Sequence, residues 1–444
     1  MSPLPHAGAP GSSLAEFWLP FTPNRDFKGA PKLVARAEGL YYFDPAGRPI
    51  IDGVSGLFAS AAGHGRVEIA DAVHRQLNEL DFSSSFYRSH PLAFAAATAV
   101  ARLTPPGLDR IFFVNSGSEA VDSAMKIVLA YHRARGEGQR NVFISRERAY
   151  HGVNFGGVAL SGLVNNRRSF SAVLAPAQLL RHTWLAENAF ARGQPANGAE
   201  LADDLLRVIE VQGAENIAAV FIEPIAGSTG VLVPPLGYLE RLREICDQHG
   251  LLLVFDEVIT GFGRTGRSFA AETFKVRPDL ITMAKAITNG AQPMGAVAVD
   301  RAIHDTVIAA APEDTIELFH GYTWSAHPAA CAACVAALDI YAREGLFARG
   351  AALAPYFHEQ LYSLADLPGV TDIRAFGLLA GIELAPLGKP GQRGYRLQKE
   401  FFDAGLHLKT TGDVAILAPA LVAEPAHIDE IIAVLRRVLS RQQP

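Results

Sequence analysis

Three polar groups in this chain each follow a short apolar run. Asp256 follows "LLLVF", Lys285 follows "LITMA", and Asn115-Ser116-Gly117-Ser118 follows "RIFFV". Runs of that length bounded by polar residues read as buried strands. Ligands of open α/β sheets bind just beyond the carboxyl ends of such strands. A carboxylate there is partly buried and needs a cationic partner or strong hydrogen bonds, and a protonated pyridine nitrogen is such a partner. An amine there is desolvated, which lowers its pKa and leaves a nucleophile. After Asn115 the pattern turns helical. The N–H groups of that helix start, with the Ser116 and Ser118 hydroxyls, make a phosphate cradle, and Gly117 lets the backbone approach the anion closely.

Each group also has a plainer reading. Ser116 to Glu119 matches an ordinary helix cap. Asp256 fits a cap or an internal ion pair, and Lys285 fits a surface lysine with its ammonium in water. The combination is more specific than its parts. A phosphate cradle, an acid for a ring nitrogen and an amine for an aldehyde are the three demands of pyridoxal phosphate.

Other motifs carry less. Gly261, Gly263 and Gly266 spell a Gly-x-Gly-x-x-Gly after a strand. A dinucleotide site needs those glycines at the strand-to-helix junction, but Asp256 to Thr260 intervene and two of them are carboxylates that repel phosphate. A flexible loop is the simpler reading. Ser123-x-x-Lys126 resembles a serine-nucleophile motif, yet it lies inside a helix and no Ser-Asp-Asn or Lys-Thr-Gly follows. Cys331-x-x-Cys334 has redox spacing but sits in the Ala-rich stretch "HPAACAACVAALDIY", where small buried thiols pack a helix. The 14 His residues are scattered, so a metal site is not expected. No nucleoside-triphosphate loop is present.

Composition fits a globular chain with a large buried core and two or three domains. The chain has 444 residues, 49% hydrophobic and 19% charged, with a net charge of −5. Nothing favours nucleic acid or an anionic membrane as partner. No run approaches the length that crosses a bilayer, and the start has no signal-peptide pattern. Three cysteines argue against a disulfide framework and for the reducing cytoplasm.

The elements that must position these groups alternate. From about residue 66 to 325, apolar strands alternate with amphipathic helices, which implies an α/β fold with a mostly parallel sheet flanked by helices. Residues 1–16 read as a flexible lead. Residues 17–65 carry short antiparallel strands of a smaller unit, and residues 66–325 form a large domain. Residues 326–444 form a smaller C-terminal α+β domain whose first helix bridges from the large one.

At this point the sequence resembles a class III pyridoxal-phosphate aminotransferase of fold type I over nearly its whole length. The likeness runs through "NSGSEAVDSAMKIVLAYHRARGEGQR", "RAYHGVNFGG", "IEPIAGSTGVLVPPLGYLERLREICDQHG", "VFDEVITGFGRTG", "PDLITMAKAITNGAQPMGAVAV" and "FHGYTWSAHPAACAA". Within the class it is most similar to the ω-amino acid–pyruvate and β-alanine–pyruvate transaminases. The resemblance implies that Lys285 bonds the cofactor aldehyde and shuttles the proton, and that Asp256 pairs with the pyridinium. It implies that Tyr150 and Val258 pack on opposite ring faces, and that Ser116, Gly117 and Ser118 bind the phosphate. It also implies that His151 and Glu223 stand near the cofactor. Thr323 would reach the phosphate of a neighbouring subunit, so the site would be shared in a homodimer, or within a tetramer.

Two departures bear on substrate. Ornithine- and γ-aminobutyrate-type members carry Glu in the stretch after "EPI", whereas Ser228 stands here. The ω-amino acid group usually grips the substrate carboxylate with an Arg in the C-terminal domain, and Lys409 stands in its place. Lysine is a point charge on a flexible stem rather than a bidentate fork. Arg88 is an alternative cation. The pocket wall implied by the resemblance has Phe58 where the family has Trp. With Trp18, Phe21, Phe86 and Tyr87 it stays aromatic and suits bulky or long-chain amines. The implied reaction moves an amino group from an ω-amino acid or primary amine to pyruvate by a two-stage exchange. The alternatives are a fold-type I aminomutase or decarboxylase, a transaminase for carboxylate-free amines, and a non-catalytic ligand-binding protein on the same scaffold.

Overall fold

The structure is a computed structural model that describes residues 14–171 and 174–442. Most of the lead read in residues 1–16 therefore lies outside the described residues.

A seven-stranded sheet forms the centre. Its order is Arg110–Val114, Gly295–Val299, Leu280–Met283, Leu252–Asp256, Ile217–Ile222, Val142–Arg146 and Ala177–Leu180. All neighbours from Leu280–Met283 to the far edge pair in parallel, while Gly295–Val299 runs antiparallel to both of its neighbours. Five strands that precede site candidates therefore end on one edge of the sheet: those ending at Val114, Arg146, Ile222, Asp256 and Met283. The sheet is buried on both faces, which is why its strands read as continuous apolar runs. Leu252 and Val254 pack on one face beneath the helix Gly117–Ala134, and Leu253 and Phe255 pack on the other.

The strands Arg36–Glu38, Tyr41–Phe43 and Pro49–Asp52 form the antiparallel element read from the sequence. The short strand Leu406–His407 from the C-terminal region joins them in parallel. The stretch "GLHLKTTGDVAILAP" is thus split. Its first strand extends this sheet, while Lys409–Thr411 and Val414–Leu417 form a hairpin in a third sheet with Val370–Phe376 and Leu379–Leu384. The helix Pro328–Arg343 packs against Val67–Glu79 and Pro91–Ala101, which ties the C-terminal region to the central one.

Candidate active site

The shared strand edge closes around a cavity of about 140 Å³ whose walls include Gly117, Ser118, Tyr150, Glu223, Asp256 and Lys285. Alternation along the strands decides which groups face it. Asp256 continues the Leu252 and Val254 face and points into the cavity. Glu257 takes the opposite side and accepts from Ala270 N, Ala271 N (2.8 Å) and Thr260 Oγ1 (2.9 Å), capping the short helix Ala270–Phe274. Burial holds the Glu257 carboxyl up at about 7. Of the adjacent acidic pair, one residue serves the cavity and the other serves the fold.

Asp256 is held in place. Its Oδ2 lies 2.7 Å from His151 Nδ1, and its Oδ1 accepts from Val258 N at 3.2 Å. His151 Nε2 reaches Ser145 Oγ at 3.1 Å. Ser145, His151 and Asp256 are all buried. Glu223, 4% exposed, accepts from Tyr150 N at 2.9 Å and from Gly227 N at 3.2 Å. Burial raises the Glu223 carboxyl. Burial, with Asp256 and Glu223 nearby, also raises the Tyr150 phenol.

Lys285 begins a short 3-10 turn after the strand Leu280–Met283. Its φ is 52°, a left-handed value that is strained for lysine and ends the strand's alternation. Its Nζ lies 5.3 Å from the centre of the Phe58 ring, and among the described residues it makes no hydrogen bond. The side chain is half-buried and lines the cavity. Burial lowers its amine to about 8, with Asp256 and Glu223 pulling it back up. Phe58 itself is 2% exposed and has φ 66°.

Ser116 caps the helix Gly117–Ala134, its Oγ accepting from Glu119 N at 3.2 Å, and does not line the cavity. Gly117 and Ser118 do line it. The capping reading and the cradle reading both hold, divided between neighbouring residues. The walls here need glycine. A Cβ at Gly117 would press on Val258 at 3.1 Å, and one at Gly152 would overlap Ser118 Oγ at 2.5 Å. The residues present fit pyridoxal phosphate on the chemistry of the donor set. An enclosed amine, a fixed inward carboxylate and a helix N-terminus stand on one cavity, and the close Gly117 and Gly152 contacts keep side chains from filling it.

The remaining candidates lie apart from this cavity. Lys409 Nζ donates to Ser228 O at 2.8 Å and also to Thr411 Oγ1. Burial, then the charge of Lys285, lowers the Lys409 amine to about 8. Trp18 is 87% exposed and Tyr87 95%, and Phe21, Phe86, Arg88 and Thr323 are also exposed. Gly261, Gly263 and Gly266 belong to a packed turn. Gly263, with φ 90°, lies so close to Phe347 that a Cβ would meet it at 2.4 Å. Cys331 and Cys334 are buried in their helix, and burial pushes Cys331 up to about 12 and Cys334 higher still. Ser145 and Gly152 were not singled out in the sequence. A lone serine inside the strand "NVFISR" was the available signal.

A mostly parallel sheet whose strand ends converge on an enclosed lysine, an anchored aspartate and a helix N-terminus is the α/β arrangement that a pyridoxal-phosphate enzyme requires. The comparisons agree. Residues 24–439 match the family "Aminotransferase class-III". The chain is 52% identical to an omega-aminotransferase of Caulobacter vibrioides, covering 99% of this chain and 100% of that one. It is 46% identical to an omega-amino acid–pyruvate aminotransferase of Pseudomonas putida, covering 98% of each. Among solved structures, the omega transaminase of Pseudomonas jessenii in complex with PMP superposes with a TM-score of 0.91 at 30% identity, over 96% of each chain. This chain belongs to the class-III aminotransferases, a family that depends on pyridoxal phosphate.

Proposed function

We propose that this aminotransferase moves an amino group from an ω-amino acid or primary amine to pyruvate, using pyridoxal phosphate in a site shared between two copies of the chain. The observation that carries the reading is the enclosed Lys285 amine facing an Asp256 carboxylate locked by His151. The names of the relatives supply the substrate class. The buried free thiols fit the cytoplasm as location.

When bound, the cofactor supplies an electron sink for the charge left by proton removal. Lys285 would hold its aldehyde, Asp256 its ring nitrogen, Tyr150 and Val258 its ring faces, and Gly117 and Ser118 its phosphate. Residues 66–325 would carry these groups, and Thr323 would complete the phosphate site of the other copy. His151 fixes the orientation of Asp256 through Nδ1. Glu223 pins the backbone of Tyr150. Lys285 Nζ, once released as a neutral amine, would take the proton from the amine-bearing carbon of the substrate and deliver it to the carbon that gains the amino group's hydrogen, so that the transfer goes forward rather than back. Phe58, whose ring centre lies 5.3 Å from the amine, would shield it from water. Trp18, Phe21, Phe86 and Tyr87 would complete the substrate wall in the assembled enzyme.

A second reading of the substrate is favoured by the position of Lys409. Its ammonium is satisfied by Ser228 O and Thr411 Oγ1 without any carboxylate, so a donor that lacks a carboxylate leaves those bonds undisturbed. A donor panel with pyruvate as acceptor tests both readings. β-Alanine turning over faster than an arylalkyl amine supports the first, and the reverse supports the second. No amine transfer to pyruvate from any donor sinks both.

A further inference from the structure

Ser123 and Lys126 stand one helical turn apart on Gly117–Ala134, the helix whose first residues line the cavity. Between their side chains lies His320. Ser123 Oγ is 2.8 Å from His320 Nε2, and Lys126 Nζ is 3.3 Å from His320 Nδ1. An ammonium can only donate. Nδ1 therefore accepts, Nε2 carries the proton, and Ser123 Oγ receives it. That tautomer cannot take a proton from Ser123, so the trio is not a hydrolytic nucleophile.

The rest of the surroundings hold the same short segment. The His320 ring stacks on Phe112 with centroids 5.5 Å apart at 13°, and Tyr322 meets it edge-on at 5.1 Å. Tyr322 N donates to Ser325 Oγ at 3.2 Å, and Ser85 Oγ donates to Ser325 O at 3.1 Å. His320, Tyr322 and Ser325 are gripped, whereas Gly321, Thr323 and Trp324 project outward and are exposed. The segment is therefore a tip with fixed feet rather than a loose loop.

We propose that Lys126, Ser123 and His320 form a clamp that positions Thr323 for the phosphate site of a second copy of the chain. The proposal rests on the shared-site reading above. These are positioning residues, since none of them lines the cavity. One helix then carries the phosphate-facing residues of its own site at its start and, about 10 Å further along its axis, the anchor for the element that completes the neighbouring site.

The test compares pyridoxal phosphate with pyridoxal, which lacks the phosphate, in binding titrations of the dimeric protein. Thr323→Ala and His320→Ala are each expected to weaken pyridoxal phosphate by about tenfold, the usual effect of losing a hydrogen bond to a charged group, and to leave pyridoxal unchanged. The double variant should be no weaker than either single one, because both remove the same contact. His320→Gln keeps a donor for Ser123 and should recover most of the affinity. Loss in Thr323→Ala without loss in His320→Ala overturns the clamp, as does an equal loss for both ligands in His320→Ala. Unchanged affinity in Thr323→Ala overturns the shared-phosphate reading and the clamp with it. Ser123→Ala, a smaller change, decides by the same criteria if His320→Ala does not fold.

Discussion

The cavity floor and the aromatic residues proposed as its rim are built in opposite ways. On the floor, Asp256 is 5% exposed and fixed by His151, His151 is fixed by Ser145, and Glu223 holds Tyr150. The rim candidates Trp18, Phe21, Phe86 and Tyr87 stand in solvent on irregular segments. Two of them, Phe21 and Tyr87, have left-handed φ of 48° and 60°. Large exposed aromatics in strained backbone are unusual for a surface that stays bare. The two floor carboxylates find their hydrogen-bond partners within one chain, on loops that follow neighbouring strands. The rim candidates are exposed in the single chain, and the proposed shared site expects a second copy to cover them.

The floor should respond to substitution far more than the rim. Lys285→Ala is expected to lower turnover by about ten-thousandfold or more, as loss of a covalent catalytic group does, while the protein still takes up cofactor. Normal amine transfer in that variant would remove Lys285 from the mechanism. Asp256→Ala should cost about a hundredfold or more in rate and weaken cofactor uptake, because a ring-nitrogen proton would lose the carboxylate that His151 holds in place for it. His151→Ala should fall short of that, and a larger loss than for Asp256→Ala would reverse the assignment of acid and support.

Lys409→Met separates the two substrate readings. If Lys409 holds a carboxylate, β-alanine and pyruvate should lose about tenfold in kcat/KM while an arylalkyl amine keeps its rate in the amine-to-cofactor half-reaction. Equal losses for both donors would place Lys409 in the fold rather than the pocket. Tyr87→Ala should change cofactor affinity by less than about twofold, as surface substitutions usually do, yet alter selectivity among bulky donors. An unchanged donor profile would detach the rim from the site.

The floor also predicts a pH dependence for the cofactor-free protein. Lys285 and Lys409 are each lowered from 10.5 to about 8 by burial. Between about pH 8 and 10.5 the unfolded chain binds more protons than the folded one, so these residues make stability rise with pH across that window. Below about 8 their burial penalty is present in full. Lys285→Met should therefore flatten part of the rise in denaturant midpoint between pH 8 and 10. An unaltered slope would place the Lys285 amine in solvent.

The sequence alone determined the strands that carry the site. Asp256 and Lys285 stood out because an apolar run must be buried, and a charge at its end must be paired or neutralised. The same locality explains the Ser116–Ser118 helix start, since capping and the helix dipole act over a single turn. Only the tertiary structure decided which of Asp256 and Glu257 faces the cavity, that His151 and Ser145 back the aspartate, and that Phe58 lies over the amine. It also showed Lys409 resting on Ser228 and Thr411, and His320 inserted between Ser123 and Lys126. Strand-end chemistry is written in a few consecutive residues, and the pattern of burial announces it. Contacts such as His151 to Asp256, or Ser123 to His320, join residues more than a hundred or nearly two hundred positions apart. No local pattern encodes them, because they exist only once the sheet has brought its loops together.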